Sequence, residues 1–142
     1  MTQTTSIVGL RACTAILLGH AAEIVGRGWC RHADALDGQG RAVDANDDDA
    51  VQFSIAGSIR RAAADAIWGR LPALDTTSAR RISTAYGMEM DAVGQVVAPE
   101  RIDTSRQSIG RWNDQQREVS RVQGALLAAA ALMDQGEERK VA

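Results

Sequence analysis

From Ile7 onward, apolar residues return at helical spacing: Ile7, Leu10, Leu17 and Ile24 share one face, with Thr14 and Ala21 in the same stripe. Gly26 and Gly28 follow, and glycine commonly ends a helix because it enters the left-handed conformation without a Cβ clash. The spacing therefore predicts a first helix closing near these two residues. The next stretch, "CRHADALDGQGRAVDA", alternates weakly around Asp37-Gly38-Gln39-Gly40, turn chemistry that suits a short β-hairpin or an ordered loop.

A second helix is predicted to begin near Asp47 to Asp49, where a helix N-terminus favours negative charge, and to run to Leu71-Pro72. Val51, Ile55, Ile59, Ala62 and Ala66 form its core face, and Ala56, Gly57 and Ser58 are small enough for another helix to approach closely. A third helix follows Asp75, with Thr76 and Thr77 as alternative caps, through "SARRISTAYGMEMDAV", weakened by Gly87. Residues 94 to 112 contain "QVV" and Pro99, which suit a short strand pairing with the hairpin. Asn113 or Asp114 caps the last predicted helix, Val119, Val122, Leu126, Ala130 and Met133 face the core, and Gly136 ends it. The pattern as a whole predicts a mainly α (α+β) fold: about four helices around one core, with a small hairpin or sheet from residues 29 to 44 and 94 to 100. The domain is expected over residues 1–136, followed by a frayed tail over 137–142.

Length and composition agree with a packed core. The chain has 142 residues, 45% apolar and 24% charged, a size at which folding buries about two-thirds of the unfolded surface without help from disulfides or metal. Arg11, His20 and Glu23 interrupt the apolar start, so it reads as a core helix and not as a membrane span or signal peptide. Two cysteines, Cys13 and Cys30, make no disulfide framework. A cytoplasmic location is the expectation. The net charge is -2, and the arginines Arg101, Arg106, Arg111, Arg117 and Arg121 are interleaved with Glu100, Asp103, Asp114 and Glu118. Nucleic-acid binders concentrate basic residues into a patch, so nucleic acid is not the expected partner.

Cys13 and His20 stand seven residues apart on one helix, about 10 Å along its axis, too far to share a zinc ion. Asp44, Asn46 and Asp48 occupy the first, third and fifth positions of an EF-hand-like loop, but Asp49 stands where glycine is needed and Ile55 where the bidentate glutamate belongs. "GQGRAV" lacks the third glycine of a dinucleotide loop. No metal and no cofactor is expected. Nucleophile candidates are Cys30, Cys13 and Ser54, with His20 or His32 as base; Cys13 reads as a buried small side chain of the first helix, and Arg31 beside Cys30 is placed to lower a thiol pKa. Three of the five aromatic residues are tryptophans, Trp29, Trp68 and Trp112, each next to a predicted helix end. They serve either as staples onto the core or as recognition anchors, since Trp and Arg dominate interface hot spots. Trp29, Arg111, Trp112 and Asp114 are accordingly the candidate binding residues.

Two stretches, "RGW" with "GRAVD" and "DAVQFSIAGSIRRAA", then "SIGRWND", resemble a family of small bacterial and phage-associated domains of unknown function. The resemblance implies a mostly helical unit with a small strand element, in which Ser54's position is often cysteine and a turn commonly follows the WND segment. It brings no activity with it. The expected function is a non-enzymatic protein-protein interaction or regulatory protein, carried by a phage or mobile element, with another protein as partner and a homodimer left open. The alternatives are a small hydrolase or transferase using a Cys or Ser nucleophile with His, and a DNA-binding regulator.

Overall fold

The computed structural model describes residues 2–71, 74, 89–97 and 106–141. Helix α1 (Thr2–Arg27) leads into strands β1 (Ala35–Asp37), β2 (Ala42–Val43) and β3 (Ala50–Phe53). Helix α2 (Ile55–Ile67) follows, then a helical segment α3 over 89–97, α4 (Arg106–Asp114) and α5 (Val119–Val141). The architecture is mainly α with a small antiparallel sheet, and the described residues contain five helices instead of four.

Helix α1 is the centre of the packing. It lies against both α5 and α2, and Leu17, Leu18, Ala21 and Val25 are fully buried. Its apolar surface is therefore wider than the single stripe of the expected face, because two partners must be covered. From α5 come Val122, Leu126 and Ala129, from α2 Ile55, Ile59 and Ala62, from α4 Ile109 and from α3 Val93. Arg11 on α1 donates from Nε and Nη2 to the carbonyls of Met133 and Leu132, and Gln123 Nε2 donates to the Ala22 carbonyl. These three bonds tie α1 to α5 beyond apolar contact. Among the described residues no helix is long and apolar enough to cross a membrane.

The hairpin forms where the turn chemistry places it. Ala35 pairs with Val43 and Leu36 with Ala42. Asp37 closes the loop: Oδ1 accepts from the amides of Gln39 and Arg41, both at 2.9 Å, and Oδ2 from Arg41 Nε at 2.9 Å. These bonds, the Arg41 amide foremost, hold its carboxyl below the ordinary value.

The third strand is a correction to the sequence reading. Residues 50–53 are not the start of the second helix but β3, paired with β1 through Ala35–Phe53 and Leu36–Gln52. Val51, expected in the core, is 52% exposed on this strand. The aspartates do not cap α2 either; Asp44 and Asp47 accept from the amides of Asn46 and Asp49 in side-chain turns. The cap of α2 is Ser54, whose Oγ accepts from the Gly57 amide at 3.0 Å. At Gly57 the close neighbour is not a helix. A Cβ on Gly57 would collide with the Asp34 carbonyl, so what approaches is the loop before β1.

Three further boundaries differ from expectation. Residues 94–97 are helical and supply no strand, while 78–88 of the expected third helix and 98–100 of the expected strand lie outside the described residues. Asn113 and Asp114 end α4, and a turn over 115–118 precedes α5. Gly136 does not stop the last helix, which runs to Val141. A single helix-tolerant glycine costs only about 1 kcal/mol relative to alanine.

Candidate functional site

Residues from the two stretches singled out in the sequence meet at the beginning of α2. Gly28 lets the chain leaving α1 lie directly on β3, since a Cβ there would meet the Val51 carbonyl. Phe53 then donates its amide to the Gly28 carbonyl at 2.9 Å, and the Cys30 amide donates to the Phe53 carbonyl at 3.1 Å. This places Trp29 against the end of α4. Its indole Nε1 donates to Asn113 Oδ1 at 2.9 Å.

Asn113 is buried and fully engaged. Oδ1 also accepts from the Ile55 amide at 3.0 Å, while Nδ2 donates to the Cys30 carbonyl at 3.2 Å and to Asp114 Oδ1 at 3.3 Å. One carboxamide thus joins the segment after α1, the first turn of α2 and the last turn of α4. Asp114 Oδ1 in turn accepts from the His32 amide at 2.8 Å, and its Oδ2 lies 3.4 Å from His32 Nδ1. That bond helps hold His32 at a φ of 69°, in the left-handed region that is costly for a residue with a Cβ.

A cavity of about 330 Å³ opens at this junction, lined by His32, Asp34, Ser54, Asn113 and Asp114 together with Ala33, Ala56 and Gly110. The structure therefore brings His32, Ser54 and Asp114 to one site. Arg111, one residue after Gly110 on α4, is exposed and is not among the lining residues, and Trp112 is half-buried against the core. Trp112 lies inside α4, not before a helix as expected.

Cys30 lies behind the rim. Its thiol donates to the Ala33 carbonyl at 3.5 Å and its pKa is pushed up to about 11, first by burial and then by the carboxylates of Asp34 and Asp114. Arg31, expected to lower it, turns away: its guanidinium donates to the Gln116 carbonyl at 3.2 Å and sits 6.0 Å from the Trp29 ring centroid. Ser54 spends a lone pair on capping α2.

Two features were missed in the sequence, the link of His20 to Asp65 and Arg61 and the burial of Glu89. His20 Nε2 lies 3.0 Å from Asp65 Oδ2, and Arg61, four residues before Asp65, donates from Nε to Asp65 Oδ1 at 3.3 Å and from Nη1 to the carbonyls of Ala45 and Asp47. The Arg61–Asp65 spacing was legible as a helical ion pair, but its link to His20 needed the packing of α1 on α2. Glu89 is fully buried, and among the described residues neither oxygen has a hydrogen-bond partner. Trp68 is 48% exposed at the end of α2, with the Arg70 guanidinium 4.9 Å from its ring centroid. Among the described residues, no group of three or more His, Cys, Asp or Glu side chains could hold a metal ion.

The model of a family of unknown function (DUF6197) matches residues 11–132 of the chain. No curated protein and no solved structure matches it.

Proposed function

We propose, from the premise that the chain belongs to the DUF6197 family of unknown function, that it is a non-enzymatic interaction or regulatory protein whose partner is another protein. The observation that carries this reading is the junction at the start of α2. Segments distant in sequence, joined by the Asn113 and Asp114 hydrogen bonds, build an open notch there, and the reactive-looking residue beside it is a thiol held protonated. A preorganised polar surface favours recognition, since little side-chain ordering is left for binding to bring about. A phage or mobile-element origin, a cytoplasmic location and a homodimer belong to the same proposal.

The test is affinity capture of the tagged chain from a lysate of its source, compared with His32→Gly and Arg111→Ala. Both residues are exposed, so the fold is expected to persist, which a spectrum checks. A stoichiometric partner that either variant loses supports the reading; a partner retained by both removes this surface from it.

A hydrolase or transferase is favoured by one observation, the convergence of Ser54, His32 and Asp114 on one cavity. Against it stand the capping duty of Ser54 and the raised thiol of Cys30.

A further inference from the structure

Helix α5 carries more apolar surface than its packing against α1 covers. Val122, Leu126, Ala129 and Met133 are buried on the side that meets the core. Arg121, Gly124, Leu127, Ala128, Ala131 and Asp134 are exposed on the opposite side. Leu127, at 54%, is the most exposed large hydrophobic side chain among the described residues. From Val122 to Met133 the one polar side chain is Gln123, and it bonds to the Ala22 carbonyl. Over these three turns the helix is apolar all round, the pattern of a helix covered on every side, whereas a helix with one solvated side carries its charges there.

The order of residues along the exposed face says what fits it. That face is symmetric about a point between Leu127 and Ala128: Gly124 and Ala131 stand equally far from it, and so do Arg121 and Asp134. The symmetry reverses the charge, with a cation at one end and an anion at the other. A second α5 laid antiparallel, about a two-fold axis through that point, sets Gly124 opposite Ala131 of the second copy and brings Arg121 level with its Asp134, each twice over. A uniformly basic or uniformly acidic partner would match only one end. Leu127 and Ala128 then lie beside the axis, each next to its own counterpart. The space over Gly124 is open, so the helix axes can close to about 8 Å, the short end of ordinary helix packing.

We propose that α5 pairs with α5 of a second copy of this chain, antiparallel and about a two-fold axis between Leu127 and Ala128. The pairing rests on the homodimer of the functional reading, gives it an interface, and involves none of the residues lining the notch before α2. One helix pair is a small interface, so the dimer dissociates with a constant on the order of 10 µM.

The experiment is sedimentation of the full chain from about 1 µM to about 1 mM, joined to cysteine cross-linking. The expected result is a monomer-dimer equilibrium that Leu127→Lys, a change at an exposed position between two good helix formers, weakens at least about tenfold in a chain with unchanged circular dichroism. Arg121→Asp or Asp134→Arg alone brings like charges level and is expected to weaken the dimer at least about threefold, and the two together restore it. Ala128→Cys beside the axis is expected to cross-link under copper phenanthroline, since its Cα atoms fall within disulfide range. Ser120→Cys, about 20 Å from its own counterpart in this register, is not; the native Cys13 and Cys30 are buried. A chain that stays monomeric throughout, a dimer unchanged in Leu127→Lys, no recovery in the double charge reversal, or equal cross-linking at both cysteine positions would overturn the proposal. A monomeric chain that captures a different protein through Leu127 would assign this face to that protein and overturn the second copy. If the dimer forms as described while His32→Gly and Arg111→Ala change no captured partner, this inference stands and the reading of the notch falls.

Discussion

At Asn113 one side chain answers four demands: the Trp29 indole and the Ile55 amide need an acceptor, and the Cys30 carbonyl and Asp114 need a donor. Asn113→Ala leaves three of these groups without partners inside the protein. At about 1–3 kcal/mol for each buried orphan, the expected loss is at least about 3 kcal/mol of unfolding free energy, measurable by urea denaturation. Asp114→Ala exposes its vacancy to solvent and is expected to cost less. At Cys30 a pKa of about 11 leaves roughly one thiol in ten thousand ionised at pH 7, taking one decade per pH unit. Iodoacetamide should therefore alkylate it far more slowly than free cysteine at neutral pH. Alkylation at the free-cysteine rate would remove the main argument against a thiol nucleophile. The linkage has a sign as well. The unfolded thiol loses its proton near its ordinary value of 9.0 while the folded one keeps it, so the unfolded state binds fewer protons and stability falls from about pH 9 to about pH 11.

Among the elements, α2 separates two explanations that sequence alone left mixed. Acidic residues before an apolar run look like a helix start, and here they are a turn, a strand β3 and only then a cap. Ser54→Ala is expected to lower stability by about 1 kcal/mol, whereas Asp48→Ala, at an exposed position, should stay within about 0.5 kcal/mol of the parent. A larger loss at Asp48 than at Ser54 in the same denaturation series would reverse this assignment. The hairpin is the contrasting case. Its turn was legible because Asp37 and Gly40, which adopts a φ of 80°, carry local chemistry. Strand β3 was not, since Ala50–Phe53 has too few residues to show alternation and is ordered by pairing with β1 and with the segment after α1.

Across the whole molecule, the core runs along α1, and Glu89 on α3 breaks its apolar character. Burial pushes this carboxyl well above its ordinary value of 4.5, so the folded chain retains a proton that the unfolded chain releases. The unfolded state then binds fewer protons above about pH 4.5, and stability contributed by this group falls as pH rises from there through the folded pKa. Glu89→Leu is expected to flatten that decline and to raise stability at neutral pH by about 1–3 kcal/mol, the cost of a buried polar group without a partner. Chemical denaturation at pH 5 and pH 7 measures both; a variant whose pH dependence matches the parent would show that Glu89 is not the source.

By itself the amino-acid sequence determined the helical stripes of α1 and α5, the buried positions Ile55, Ile59, Ala62 and Ala66 of α2, and the hairpin turn. All of these rest on periodicity or turn chemistry within a few residues of the chain. Trp29, His32, Ser54 and Asp114 could be singled out as residue types, but not as neighbours. Their meeting depends on Asn113 bonding across three segments and on Gly28 and Gly57 allowing backbone to lie against backbone. Those are contacts between segments up to 84 residues apart, and only tertiary packing decides them, because hydrogen-bond complementarity across such a distance leaves no periodic trace in one chain.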